Sequence, residues 1–416
     1  MFQLLFADPE GRMFEHPKLL ASGRTGNLFT EMSPDEVIPL PEGASLVLVP
    51  GGVPLGIDHR GRFAAFSDRL GIPVHAVGAL LPQGFTRTLL PAYRRQDKTP
   101  LPLFGYAAVG WKDGAVYVAA TPTDEHHKWN PVHYSTPELE GLVQNAVKSY
   151  PTNRIISQLS RCAVLYHCFT AQNIFYRRWE GGIPVSPACN ARCLGCISLQ
   201  PAECCPSPQA RIDFKPTIEE IAEVAIPHLA EAPDAIVSFG QGCEGEPSLA
   251  ADTVARAINQ IRRETGTGTI NMNTNAGFTE GIKVVSEAGI DSLRVSTISA
   301  RASTYRAYYG PQDYDWENVC SSILFARKQG VYVSLNLLTF PGLTDQREEA
   351  AALVAFIKEH DINMVQIRNL NIDPDYLADR IPLAENDILG INGFIEALKA
   401  EIPGLELGNY TRPVAK

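Results

Sequence analysis

The feature that most restricts the fold is an alternation of short apolar runs with amphipathic segments through the second half of the chain. Ile183 to Ser186, Ala235 to Phe239, Thr269 to Thr274, Ser292 to Ser296, Val331 to Leu338 and Met364 to Leu370 are brief and rich in apolar and β-branched residues, as buried strands are. Helical spacing fills the intervals. Thr217 followed by Glu220 reads as a capping box, opening a helix that runs to about Ala230. Further helices are predicted from about Ser248 to Glu264, Glu280 to Ala288, Trp316 to Gln329 and Arg347 to His360, with Gly289 and Gly330 as stops. Six strand–helix units in succession imply a parallel sheet with right-handed crossovers, two units short of a closed eight-stranded barrel. The predicted class is α/β, a partial (β/α)6 barrel.

Residues 1–180 have another texture. Short apolar runs such as Ser45 to Val49 alternate with turn signals such as Pro50-Gly51-Gly52, and Lys112-Asp113-Gly114-Ala115 reads as a hairpin turn. A β-rich or α+β domain of unassigned role is expected there. Near its end a helix is predicted to about Val147, with Thr136 as cap and Pro137 at its first position. The barrel would occupy 181–375, and 376–416 would form a helical extension with one amphipathic helix near Asp387 to Ala400 and an irregular end.

The composition, 45% hydrophobic and 20% charged, is that of a globular protein. A formal charge of −10 argues against loose binding to nucleic acid or to an anionic membrane. The first residues turn polar too quickly for a signal peptide, and no apolar stretch is long enough to span a bilayer, so the cytoplasm is the expected location. In such a compartment nine cysteines do not read as a disulfide framework, and five of them fall between Cys189 and Cys205. That local density points to metal.

Cys189, Cys193 and Cys196 lie within eight residues. Three thiolates can hold three corners of a cubic iron–sulfur cluster and leave the fourth iron open to a small molecule. Zinc is the competing occupant, although it ordinarily takes a Cys-x2-Cys pair together with a second pair elsewhere. The Cys-x3-Cys-x2-Cys pattern resembles the signature loop of the radical S-adenosylmethionine (SAM) superfamily. The resemblance covers about Gly182 to Pro374 and implies one 4Fe–4S cluster on these cysteines, whose open iron is chelated by SAM. It also implies reductive cleavage to a 5'-deoxyadenosyl radical, an electron donor such as ferredoxin or flavodoxin, and a partial barrel, in agreement with the strand–helix count.

Further residues carry the resemblance. Gly240 to Pro247 is similar to the family's Gly-Gly-Glu-Pro segment, which contacts the SAM amino group; by register with Pro247, Glu246 rather than Glu244 takes that role. Asn273-Thr274-Asn275 is similar to the Thr-Asn-Gly segment, so Thr274 or Asn275 would bond the ribose. Ser296 matches the serine beside the SAM carboxylate. Asn336 and Arg368 are polar positions on the next two strands and are further cofactor-binding candidates. Two departures stand out: Gly195 replaces the aromatic residue that commonly precedes the third cysteine and packs on adenine, and Glu244-Gly245 replaces the glycine pair.

Cys243, in the loop over the expected site, is a candidate hydrogen-atom donor. A second iron–sulfur cluster would need four of Cys162, Cys168, Cys204, Cys205 and Cys243 to converge; a single cluster is the expectation. His126, His127 and His133 read as a polar loop, with binding of metal or substrate as the alternative. The expected activity is hydrogen abstraction from a C–H bond of a peptide or protein substrate. The alternatives are an RNA-modifying or small-metabolite enzyme of the same superfamily, and a non-catalytic iron–sulfur or zinc protein.

Overall fold

The structure, a computed structural model, describes residues 1–95, 97–103, 105–200, 207–383 and 387–415. Among the described residues, strands between Gln3 and Pro122 join in a thirteen-stranded sheet whose pairings are antiparallel. Its inner face is made of alternate small or branched residues, Leu5 and Ala7, Val77 and Ala79, Ala107 and Val109, Val118 and Ala120. The expected hairpin is present: Ala107–Lys112 pairs with Ala115–Pro122 across Asp113 and Gly114, both at positive φ (49° and 81°).

Three helices follow, α1 (Leu139–Ser149), α2 (Arg154–Val164) and α3 (Phe169–Tyr176). Thr136 does not cap α1. Its hydroxyl lies 2.7 Å from the Tyr176 hydroxyl, and the helix begins at Leu139.

The second sheet is parallel and runs in chain order: β1 (Glu180–Gly182), β2 (Ile236–Phe239), β3 (Thr269–Thr274), β4 (Ser292–Thr297), β5 (Tyr332–Thr339), β6 (Met364–Asn369) and β7 (Glu406–Gly408). Sequential parallel order is that of a partial barrel. Helices α4 (Ile218–Glu231), α5 (Ala251–Glu264), α6 (Thr279–Glu287), α7 (Ala302–Tyr309), α8 (Trp316–Lys328) and α9 (Arg347–His360) connect the first six strands. α10 (Pro374–Ala378) and α11 (Gly390–Glu401) lead to β7.

Three further expectations need correction. The first strand is Glu180–Gly182, not Ile183 to Ser186. Ile183 N–H makes one more bond, to the Ser238 carbonyl at 3.0 Å, but Pro184 has no N–H to continue the ladder. The N–H groups of Val185 and Ser186 turn instead to the Glu244 carboxylate, at 2.7 and 2.9 Å. α7 lies between β4 and α8, where no helix was predicted. The C-terminal segment also contributes a strand, β7, instead of ending irregularly.

The two sheets meet at the carboxyl ends of the parallel strands. Arg87 of the antiparallel sheet is 1% exposed; its guanidinium donates to the Leu370 carbonyl at 2.7 Å, and its N–H to Asn369 Oδ1 at 2.9 Å. Asn369 returns a bond to the Phe85 carbonyl at 3.0 Å, and Arg24 pairs with Asp375 at 2.6 Å. No helix among the described residues is long and apolar enough to cross a membrane.

Candidate active site

Parallel barrels build their sites where the strands end, and here those ends surround a cavity of about 380 Å³. Cys189, Cys193, Cys196, Glu246, Thr274, Asn275, Ser296, Asn336 and Arg368 all line it. So do several residues that the sequence did not single out, among them Arg211, Arg294, Tyr308 and Tyr309.

The cysteine loop follows β1 and is held from two sides. Gly245 N–H donates to the Ser186 carbonyl at 2.7 Å, and Glu246 N–H to the Ala188 carbonyl at 2.8 Å. A Cβ on Gly245 would stand 2.0 Å from the Ala188 oxygen, so this close approach requires glycine. On the other side the end of α7 takes N–H bonds from the loop: Leu194 to the Tyr308 carbonyl at 3.0 Å and Arg192 to that of Tyr309 at 2.9 Å. A Cβ at Gly195 would lie 2.8 Å from the Tyr308 hydroxyl, so that tyrosine fills the space beside the glycine. Tyr305, Tyr308 and Tyr309, at the i, i+3, i+4 spacing of a helix face, are the available signal for α7, and eight residues are too few to show a clear period.

The two glutamates of the loop after β2 differ sharply. Glu244 accepts four backbone N–H groups, from Val185, Ser186, Gly240 and Gln241, at 2.6–3.1 Å. It fastens the end of β1 to the end of β2, and burial pushes its carboxyl up to about 7. Glu246 accepts from the Thr274 hydroxyl at 2.5 Å, Ser248 N–H at 3.0 Å and Asn275 N–H at 2.8 Å. Three donors on a carboxylate with about four acceptor positions leave capacity for one more. Burial raises its carboxyl too.

The thiols suit an iron–sulfur cluster. All three line the cavity, and Arg211 Nη2 lies 3.7 Å from Cys196 Sγ. Burial, then the neighbouring Cys196 and Cys189, push the Cys193 thiol well up. A metal centre supplies the positive charge that makes such a thiol a thiolate. Among the described residues no three His, Cys, Asp or Glu side chains converge as they would on a single ion. A cubane instead distributes its thiolates over separate corner irons.

Cys243 is not at the site. It is 4% exposed, does not line the cavity, and its thiol meets that of Cys162 in the main core. A hydrogen-atom donor must reach the radical, and this thiol points away from it. Cys168 bonds Thr170 at 3.3 Å, while Cys204 and Cys205 lie outside the described residues. Of the loop histidines, His126 packs on Phe85 and His127 on His133.

The model of the Radical SAM superfamily matches residues 183–354, the span that carries the site residues from Cys189 to Asn336. The matched span is thus a radical SAM domain, and a domain of that kind implies SAM, a 4Fe–4S cluster and an electron donor. Solved structures with similar folds include HydG, a maturase of the FeFe-hydrogenase (16% identity, TM-score 0.40, 65% of this chain and 66% of that one). A radical SAM methyltransferase from Sphaerobacter thermophilus is similar at 17% identity and TM-score 0.40, over 55% and 65% of the two chains. Streptococcus suis SuiB, bound to the precursor peptide SuiA, is similar at 12% identity and TM-score 0.35, over 65% and 61%. The chain spans just under two thirds of the length of each of these. No curated protein matches it.

Proposed function

We propose that the protein reductively cleaves SAM at a 4Fe–4S cluster held by Cys189, Cys193 and Cys196, and uses the resulting radical on a C–H bond of a peptide or protein. The observation that supports this reading is the meeting of the three signature thiols, Glu246 and the ends of β3, β4 and β5 in one cavity. When bound, the cluster supplies the electron that breaks the SAM sulfonium–carbon bond, delivered from a ferredoxin- or flavodoxin-like donor.

The chain's own residues orient and enclose. Glu246 accepts the SAM ammonium at its remaining acceptor position while Thr274 and Asn275 hold the carboxylate still. Asn275 also ties to the cysteine loop through Asn190 Oδ1 at 2.7 Å, so cofactor and cluster positions are set together. Ser296 and Asn336, paired in register on β4 and β5, offer hydrogen bonds at the opposite wall. Tyr308 takes the adenine-side place that Gly195 leaves open. The antiparallel sheet closes over the strand ends and keeps water and stray hydrogen donors from the radical.

The test is spectroscopic. Anaerobically reconstituted protein should bind about four irons per chain, and SAM should change the electron paramagnetic resonance signal of the reduced cluster. A signal indifferent to saturating SAM would overturn the reading.

A further inference from the structure

Arg368 stands between two cavities. One is the site described above; the other, of about 140 Å³, is enclosed by Leu80 to Gln83, Phe85 and Gly105 of the antiparallel sheet region and by Asn369, Asn371 and Asn409. Arg368 and Asn369 line both, whereas no residue of the cysteine loop lines the smaller one. The smaller cavity therefore opens from the substrate side of the site, at the seam between the sheets.

Its chemistry is that of an anion receptor. Arg368 donates to Gln83 Oε1 at 3.0 Å and to the Asn409 carbonyl at 2.5 Å, both neutral, and no carboxylate lies within ion-pair distance of it among the described residues. Arg87, on the other side of Asn369, is fully buried and likewise has no carboxylate partner among the described residues. Arg294, deeper in the barrel, has Glu180 at 3.6 Å. Burial and the charge on Arg294 lower the Arg368 guanidinium to about 10, so it remains cationic at neutral pH. Arg368 is half-buried and its only counter-charge among the described residues is the more distant Glu180, which Arg294 already pairs, so the cation has no carboxylate of its own. The wall around it carries amide groups from Gln83, Asn369, Asn371 and Asn409, of which Asn369 and Asn409 each spend one N–H on a backbone carbonyl and keep the other.

We infer that the seam cavity binds a carboxylate of the substrate, with Arg368 as its charged anchor and the surrounding amides as hydrogen-bond donors. This rests on the reading of the chain as a SAM-cleaving enzyme that acts on a peptide, and it moves Arg368 from the cofactor to the substrate. The carboxylate is either an acidic side chain or a peptide C-terminus. The 140 Å³ space admits one such group rather than a folded domain.

The experiment uses reconstituted, SAM-loaded protein and the peptide Ala-Glu-Ala in four forms: unmodified, C-terminally amidated, with Gln for Glu, and with both changes. All four are N-acetylated. Affinities are measured by ligand-observed NMR in wild type, Arg368→Met and Arg368→Lys, and 5'-deoxyadenosine formation without peptide is followed in parallel. At least one charged form should bind about tenfold tighter than the doubly neutral form, as a charge-assisted contact implies. Which single change removes that preference identifies the side chain or the C-terminus as the source. Arg368→Met should lose the preference and Arg368→Lys keep part of it. Equal binding of all forms by wild type overturns the inference, as does a preference that survives in Arg368→Met. Loss of peptide-free cleavage in both folded variants returns Arg368 to the cofactor, whereas absence of cleavage in wild type overturns the underlying reading instead.

Discussion

At the scale of single residues, the two loop glutamates differ in how far their acceptor capacity is used. Glu246→Gln should leave the cluster intact and weaken SAM binding about tenfold or more, the worth of one charge-assisted hydrogen bond; equilibrium titration of reconstituted protein measures it. Glu244→Gln should behave differently. Its amide would face backbone donors where Glu244 now accepts four N–H bonds, so the variant should lose about 1–3 kcal/mol of stability, read by denaturant unfolding. If Glu244→Gln loses SAM affinity and keeps its stability, the two roles are exchanged. The choice of Glu246 over Glu244 rests in the sequence on the adjoining Pro247. The role of Glu244 is not legible there, because Val185 and Ser186 lie some sixty positions earlier. Likewise Cys243 sits in the right loop by sequence, and only the packing of α2 shows its thiol against Cys162.

At the scale of elements, local chemistry was legible and tertiary chemistry was not. The capping box at α4 is present, with Thr217 and Glu220 each bonding the other's N–H at 3.2 and 2.7 Å. Thr217→Ala should cost about 1 kcal/mol, measurable by thermal unfolding. Strands β2 to β6 were found from their apolar runs because both faces are enclosed. β1 and β7 have three residues each, Glu-Gly-Gly and Glu-Leu-Gly, and they carry no such signal. What places β1 is a tertiary bond: His228 of α4 lies 2.6 Å through Nε2 from the Trp179 carbonyl, and burial lowers its imidazole to about 4. An unfolded histidine titrates near 6.5, so the unfolded chain takes up this proton first as pH falls. The stabilisation is therefore complete above about pH 6.5 and lost as pH drops towards 4, by at most about 3 kcal/mol. His228→Gln should have a flatter stability profile between pH 7 and 4.5; a slope equal to wild type would show that other groups control it.

At the scale of the whole molecule, the parallel barrel carries the signature thiols at its strand ends and the antiparallel sheet packs against those ends. The barrel could be read because each unit repeats one pattern. The seam could not, since its bonds join Arg87 to Leu370 and Gln83 to Arg368 across more than 280 positions. A chain with one cluster should keep almost no iron when Cys189, Cys193 and Cys196 are all changed to Ala. About four irons retained with a 4Fe–4S spectrum would instead mean a second cluster, and Cys162, Cys168 and Cys243 would be the first ligands to test. The central claim is that these three thiolates make SAM reducible. Its most direct measurement is 5'-deoxyadenosine released from SAM by dithionite-reduced, reconstituted protein, in wild type and in the three single Cys→Ala variants. The account predicts release by wild type and none by Cys189→Ala, Cys193→Ala or Cys196→Ala; undiminished release by any one of the three would contradict it.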